Sequence, residues 1–134
     1  MNPSCEHRVM PTGTLSEGTD FRLFFRISRY AQTRRSAVTV LHIAWLRFSP
    51  GVSSDRISQH LEACRALVGR VPVVKDLQCG ATLSDRAGGL THGIVVTLPN
   101  HDALPAYLEH PAHIPVATAL KADVAELRVM DLEV

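Results

Sequence analysis

Two side chains suited to acid–base chemistry lie six positions apart, in the segment Tyr107-Leu108-Glu109-His110-Pro111-Ala112-His113. A histidine with a pKa of ~6.5 can accept a proton at neutral pH. A tyrosine hydroxyl can donate a hydrogen bond to a carbonyl oxygen that gains negative charge. The pair Tyr107 and His113 therefore suits enolisation, intramolecular aldol cyclisation or elimination without a cofactor. Pro111 disfavours helical geometry at His110, and we expect this break to let His113 turn back toward the sheet.

Five further histidines belong to the same part of the chain. His42 and His92 fall in predicted strands among apolar neighbours, where an ionisable ring is costly unless something interacts with it. We expect both to face a ligand cavity, and the alternative is that each is a neutral core histidine bonded to backbone. His110 is a third candidate for substrate binding. The alternative is that its side chain caps backbone groups. His60 and His101 are predicted to be solvated surface residues.

Other kinds of site have weaker support in the sequence. His110 and His113, with Glu109 or Asp123 nearby, could contribute metal ligands, but there is no H-E-x-x-H motif and no cysteine pair, so no metal is predicted. The net charge of +1 argues against nucleic-acid binding through bulk charge. The third predicted strand also lacks the aromatic residues on which RNA bases stack.

The composition indicates a single folded domain. The chain has 134 residues, of which 46% are hydrophobic and 20% are charged, enough apolar material for one packed core. No apolar run approaches the ~18 residues of a membrane span, and the N-terminus lacks the pattern of a secretory signal. The three cysteines show no C-x-x-C spacing. These features predict a cytoplasmic protein with no membrane partner.

The first 37 residues differ from the rest. They contain six arginines and three acidic residues, with no sustained apolar period. We expect a flexible basic N-terminal extension over 1–37, followed by one domain over 38–134. An alternative is that translation starts near Val38, and the protein sequence leaves this open.

From Val38 onward the pattern predicts the order β-α-β-β-α-β. A helix should begin at Ser53 or Ser54 and bury Ile57, Leu61, Cys64 and Val68 before it ends near Gly69. Pro105 should shorten or distort the helix after the third strand. Strands are predicted over 38–48, 73–83, 90–98 and 126–134, and helical pieces over 53–68, 100–109 and 115–124. This order fits an α+β, ferredoxin-like antiparallel sheet with its helices on one face.

The apolar residues on both faces of the first strand indicate that two chains associate. Even positions such as Val40 and Leu46 are apolar, and so are the odd positions Leu41, Ile43 and Trp45. Helices on one face can cover only one of these rows. We therefore expect a homodimer in which two four-stranded sheets pack face to face as an eight-stranded barrel around an inter-sheet chamber.

Residues 38–134 resemble the Dabb family, the stress-responsive dimeric α/β-barrel domains. The similarity is carried by Leu41-His42-Ile43, by Arg47-Phe48-Ser49-Pro50-Gly51, by Thr91-His92, by the Y-x-x-H-P-x-H element and by the terminal Val129–Val134. It implies the dimeric barrel and a pocket for a small hydrophobic or carbonyl-containing molecule. In the polyketide-cyclising branch, the tyrosine and the second histidine of the element are the acid–base pair. The resemblance thus implies that Tyr107 is the electrophilic donor and His113 is the general base. It also implies that His42 and His92 are orienting groups.

The sequence also fits a non-catalytic function, because the family includes stress-associated proteins as well as cyclases. The alternative is a small-ligand-binding protein or a stress-associated structural dimer. A dry interior packed by Leu46, Phe48 and Val96 would favour the structural role. A pocket of ~300 Å³ or more, with Tyr107 and His113 facing into it, would favour a ligand.

Overall fold

The β-branched and aromatic residues after Val38 form the first strand of a four-stranded sheet. A computed structural model describes residues 38–134, so the predicted basic extension over 1–37 lies outside the described residues. The elements are β1 (Val40–Phe48), α1 (Ser54–Arg65), β2 (Asp76–Ala81), β3 (His92–Leu98), α2 (Ala103–Leu108), α3 (His113–Asp123) and β4 (Val124–Glu133).

The sheet has the strand order β2-β3-β1-β4, and every neighbouring pair is antiparallel. β1 is central, and its His42 lies opposite Val96 on β3 and Asp131 on β4. The predicted ferredoxin-like α+β fold is confirmed. Because of this register, His42, Val96 and Asp131 lie at the same level of the sheet.

Helix α1 begins where the sequence predicted and ends sooner. The backbone N–H of Arg56 donates to the Ser53 side chain, at 3.1 Å, so Ser53 is the N-cap. Cys64 is buried as expected, but the helix ends at Arg65 and Val68 is left exposed in the following turn. Leu67 points into the core in its place. The prediction for Val68 was wrong because the helical period does not continue through that turn.

Pro105 shortens α2 as predicted, without breaking it. It is the third residue of a six-residue helix, where a backbone N–H has no intrahelical acceptor in any case. The Asn100 side chain accepts a hydrogen bond from the N–H of Ala103, at 3.0 Å, as expected of a residue at a helix start. The carbonyl of Pro105 accepts from the N–H of Glu109, which closes the helix.

The core lies between the helices and the face of the sheet that carries the even-numbered residues of β1. Leu46, Val96 and Leu98 are completely buried there, and Leu67 and Val71 pack from the segment after α1. Burial of this apolar surface is the main favourable term in folding a domain of this size.

The opposite face of the sheet is apolar as well. Leu41, Ile43 and Trp45 alternate with the core residues of β1, and Val95 and Met130 lie beside Ile43 on the neighbouring strands. Trp45 is 37% exposed and Met130 is 42% exposed. Within residues 38–134 the helices pack on the other face, so this surface has no helix over it. We call it the open face.

The prediction that His60 is a surface residue was wrong. His60 is only 5% exposed, its ring stacks on Phe48 with centroids 5.8 Å apart, and its Nε2 lies 2.6 Å from a carboxylate oxygen of Asp123. Arg56 donates to the same carboxylate at 2.8 Å, and the hydrogen bonds from His60 and Arg56 lower the pKa of Asp123. His60 is buried because α1 packs on the end of α3, where Asp123 lies. His101, by contrast, is exposed as predicted.

We expect His60→Ala to lower the free energy of unfolding by roughly 2–4 kcal/mol, because it removes a buried ring and leaves space against Phe48. The control is His101→Ala, which removes a histidine–carboxylate contact, 2.8 Å long, from the surface. That change should cost less than about 0.5 kcal/mol. Urea denaturation at pH 7 measures both, and equal losses would contradict the structural role of His60.

Candidate functional site

A cavity of about 270 Å³ lies between the sheet and the helices of a single chain. Most of its wall is apolar, and its polar groups are His42, Tyr107, His113, Lys121 and Asp131. The remaining lining residues come from β1, β3 and β4, from the three helices and from the segment after α1. They are Ala44, Cys64, Leu67, Ile94, Leu108, Val116, Ala117, Leu120, Leu127 and Val129.

The cavity corrects the expected position of the pocket. The sequence predicted a pocket between the sheets of two subunits, whereas this cavity lies between the sheet and the helices of one chain. The reason is the alternation of β1: His42 has the same parity as Leu46 and therefore shares the helix-covered face. Leu46, Phe48 and Val96 are buried in the packed core beside the cavity.

His113 is the first residue of α3 and turns back toward the sheet, as the break at Pro111 predicted. Its Nδ1 lies 3.0 Å from the carbonyl oxygen of Leu108. A carbonyl oxygen only accepts, so in the neutral ring Nδ1 carries the proton and Nε2 keeps a lone pair. Burial lowers the pKa of His113, and nearby positive charge from Lys121 acts in the same direction, against the effect of the Leu108 hydrogen bond. The ring is therefore neutral at pH 7 and able to accept a proton.

Tyr107 lies beside His113, with ring centroids 4.3 Å apart, and is only 4% exposed. Its hydroxyl makes no hydrogen bond to any of residues 38–134, yet none of their fully buried polar side-chain atoms lacks a partner. The hydroxyl therefore keeps access to the cavity that the ring lines. Burial raises the pKa of Tyr107, which keeps the hydroxyl protonated and available as a donor.

His42 is held by a carboxylate from the neighbouring strand. Its Nδ1 lies 2.6 Å from Oδ1 of Asp131, its partner in the β1–β4 register. The His42 ring meets the Tyr107 ring edge-on, with centroids 5.7 Å apart. The structure thus brings His42 from the sheet next to Tyr107 and His113 from the helices in the lining of the cavity.

The other two predicted binding histidines lie elsewhere. His92 is on β3 opposite Leu46, with its ring edge-on to Phe48 at 5.2 Å, and it does not line the cavity. Burial lowers the pKa of His92. His110 lies in the connection between α2 and α3, where its Nδ1 accepts a hydrogen bond from the N–H of Ala112 at 3.0 Å. His110 thus accepts a backbone hydrogen bond, and neither His92 nor His110 lines the cavity that holds Tyr107 and His113.

Sequence reasoning missed Asp131 and Lys121. Asp131 continues the same-face row of Leu127 and Val129 in β4, so a carboxylate in an apolar row was the available signal. Lys121 follows His113 on the same face of α3. Cys64 was expected in the core and also lines the cavity, but burial raises its pKa to about 11, so its thiol is a poor nucleophile at neutral pH.

Residues 38–134 hold no group of three or more histidine, cysteine, aspartate or glutamate side chains placed to bind a metal ion. Asp123, a candidate ligand in the sequence, is at the far end of α3 from His113 and bonded to His60. Over the same residues, no helix has the length and apolarity needed to span a membrane.

The chain is a ferredoxin-like α+β protein with an apolar cavity of about 270 Å³ between its sheet and its helices. Residues 40–134 match the family described as the stress responsive A/B barrel domain, Dabb, and the chain belongs to this family. The resemblance noted from the sequence is thereby confirmed.

Two relatives and two solved structures are similar to this chain. An uncharacterized protein of Streptomyces coelicolor is 32% identical over 96 residues, 70% of this chain and 98% of the relative. Olivetolic acid cyclase of Cannabis sativa is 24% identical over 96 residues, 70% of this chain and 95% of the cyclase.

Among solved structures, a dimeric ferredoxin-like protein of unknown function from Thermobifida fusca is 26% identical, with a TM-score of 0.66. The match covers 73% of this chain and 92% of that one. A hydroxynitrile lyase from Passiflora edulis is 22% identical, with a TM-score of 0.68. The match covers 72% of this chain and 93% of the lyase chain, and at this identity it shows the fold alone.

We expect the imidazole of His113 to titrate below ~6.5 in the folded protein, because burial disfavours its charged form. Proton NMR of the ring Cε1–H across pH 4–8, assigned with His113→Ala, measures this. The same protein unfolded in urea is the control and should titrate near ~6.5. A folded-state value at or above the unfolded one would contradict the site as described.

Proposed function

We propose that this protein is a cofactor-independent acid–base enzyme, a cyclase or lyase that acts on a carbonyl or polyketide-like substrate in the cavity of each subunit. The observation that carries the proposal is the pairing of a histidine Nε2 lone pair with a protonated tyrosine hydroxyl in one apolar chamber. Neither group needs a cofactor for this chemistry.

His113 Nε2 takes the proton from the carbon next to a substrate carbonyl, and the electrons of that C–H bond move to the carbonyl oxygen. Tyr107 donates a hydrogen bond to this oxygen as it becomes negative. In a cyclisation, the resulting enolate carbon bonds to a second carbonyl carbon, and the protonated His113 returns its proton to the new alkoxide. In an elimination, the leaving group departs from the adjacent carbon and receives that proton.

Asp131 gives His42 a defined role in this scheme. Because Nδ1–H of His42 donates a hydrogen bond to the Asp131 carboxylate, the ring is held in one orientation, with Nε2 left for the substrate. His42 thus positions a substrate oxygen beside Tyr107, and Ala44, Ile94 and Leu120 favour an apolar substrate body. The sequence similarity to a protein named olivetolic acid cyclase supports the cyclase class.

The second candidate is a non-catalytic ligand-binding or stress-associated structural dimer. Leu46, Phe48 and Val96 are tightly buried, and the 270 Å³ cavity is at the lower limit of ordinary ligand sites. This role needs the cavity walls and the open face, and it does not need a neutral His113. Turnover separates the two candidates.

The working unit under either candidate is a homodimer. Trp45, Ile43 and Met130 form an apolar stripe across the open face, which a second sheet of the same kind would remove from water. The description of the Thermobifida protein as dimeric supports this assembly. Packing of the two open faces leaves both cavities on the outer, helix-covered sides.

The test of catalysis follows deuterium entering octan-2-one next to its carbonyl in D₂O, measured by proton NMR. The protein should accelerate this exchange over buffer, and His113→Ala or Tyr107→Phe should reduce the acceleration at least about 100-fold. The control, His101→Ala, should leave it unchanged.

The exchange rate should fall as pH drops through the lowered pKa of His113, with no loss from tyrosine ionisation up to about pH 10. No exchange by the unaltered protein, or unchanged exchange in both variants, would contradict the enzymatic proposal.

The test of assembly is Trp45→Glu, which places a charge at the centre of the open face. Sedimentation should show a dimer for the unaltered protein at micromolar concentration and a monomer or unfolded chain for the variant. The matched control is Leu83→Glu, on a fully exposed loop residue, which should stay dimeric. A stable monomer of the unaltered protein would rule out the dimer.

A further inference from the structure

One charged group of the cavity has no part in the acid–base chemistry. Lys121 and Asp131 are the lysine and the acidic residue that line the cavity, and Asp131 is bonded to His42. Lys121 takes part in none of the ion pairs formed among residues 38–134. An ammonium group at the edge of an apolar chamber is a natural partner for an anion.

Helical geometry sets the distance from Lys121 to the reacting groups. His113, Val116, Ala117, Leu120 and Lys121 all line the cavity at positions i, i+3, i+4, i+7 and i+8, so they share one face of α3. Eight residues correspond to about 12 Å along the helix axis. Helical side chains lean toward the N-terminus, so the long Lys121 side chain brings its ammonium back toward His113.

Lys121 and Asp131 reach the cavity from different elements, α3 and β4. β4 pairs antiparallel with β1, so Leu127 lies opposite Leu46 and Asp131 lies opposite His42. Residues 127 and 131 are about 13 Å apart along the strand. The Asp131 carboxylate is bonded to His42 and forms no ion pair with Lys121.

From this arrangement we propose that the cavity binds an acidic substrate, a carbonyl compound with an apolar body whose carboxylate pairs with Lys121 while its reacting carbonyl lies at Tyr107 and His113. The inference rests on the proposed function and narrows its substrate class. The apolar side chains of Val116, Ala117 and Leu120, between the two ends, contact the body of the substrate. Lys121 is a specificity-determining residue and takes no part in proton transfer.

The probes are octanoate and octan-1-ol, which share a chain length and differ in the head group, titrated into the full chain by calorimetry. The unaltered protein should bind octanoate more tightly than octan-1-ol. Lys121→Gln should weaken octanoate binding by roughly five- to tenfold and leave octan-1-ol binding unchanged. Lys75, exposed and outside the cavity, is the only other lysine in the chain, so Lys75→Gln is the matched control and should change neither affinity.

A second readout locates the contact. Reductive methylation with a ¹³C label keeps the charge of each lysine, and the two glutamine variants assign the lysine signals. Octanoate should shift the Lys121 signal and leave the Lys75 signal in place. Ala117→Phe fills the cavity and should abolish binding of both probes.

Equal affinity for the two probes, or a loss in Lys121→Gln no larger than in Lys75→Gln, would overturn the inference. Octanoate binding that survives Ala117→Phe, or no binding of either probe, would overturn it as well. None of these outcomes depends on turnover, so the ketone-exchange test decides the enzymatic proposal separately. If octanoate binding depends on Lys121 but the protein fails the exchange test, the protein binds acids without catalysing the proposed reaction.

Discussion

The hydrogen bond from His113 to the carbonyl of Leu108 is the interaction on which the site depends. It closes the corner between α2 and α3, and in the same contact it decides which ring nitrogen carries the proton. Without it the imidazole could rotate or change tautomer, and the lone pair would no longer be fixed in the cavity. Pro111 favours this corner, because proline disfavours helical geometry at the preceding residue, His110.

The two faces of the sheet carry different features, the proposed acid–base site on one and the proposed dimer interface on the other. The helix-covered face supplies His42 and the apolar wall of the cavity, and burial there holds His113 neutral and Tyr107 protonated. The open face carries Trp45 and Met130 and no part of the cavity. In the proposed dimer each subunit therefore keeps a complete site, and association stabilises the sheet that supports it.

The fold could be predicted from the sequence because its signals are local. Ser53 caps α1, the alternation of β1 shows two apolar faces, and the Y-x-x-H-P-x-H element is specific to the family. Those local signals left open which apolar row the helices cover, so the pocket was expected on the wrong side of the sheet. The partnership of His42 with Asp131 depends on a strand register 89 residues apart in sequence, and no local pattern contains it. His60 was misassigned for the same reason, since its partner Asp123 comes from another helix.

The central claim is that His113 presents an unprotonated Nε2 to the cavity. Nitrogen-15 NMR of the two imidazole nitrogens of His113, at pH 7 in the folded protein, tests this directly. The structure predicts a proton on Nδ1, bonded to the Leu108 carbonyl, and none on Nε2. A proton found on Nε2, alone or together with Nδ1, would contradict the account.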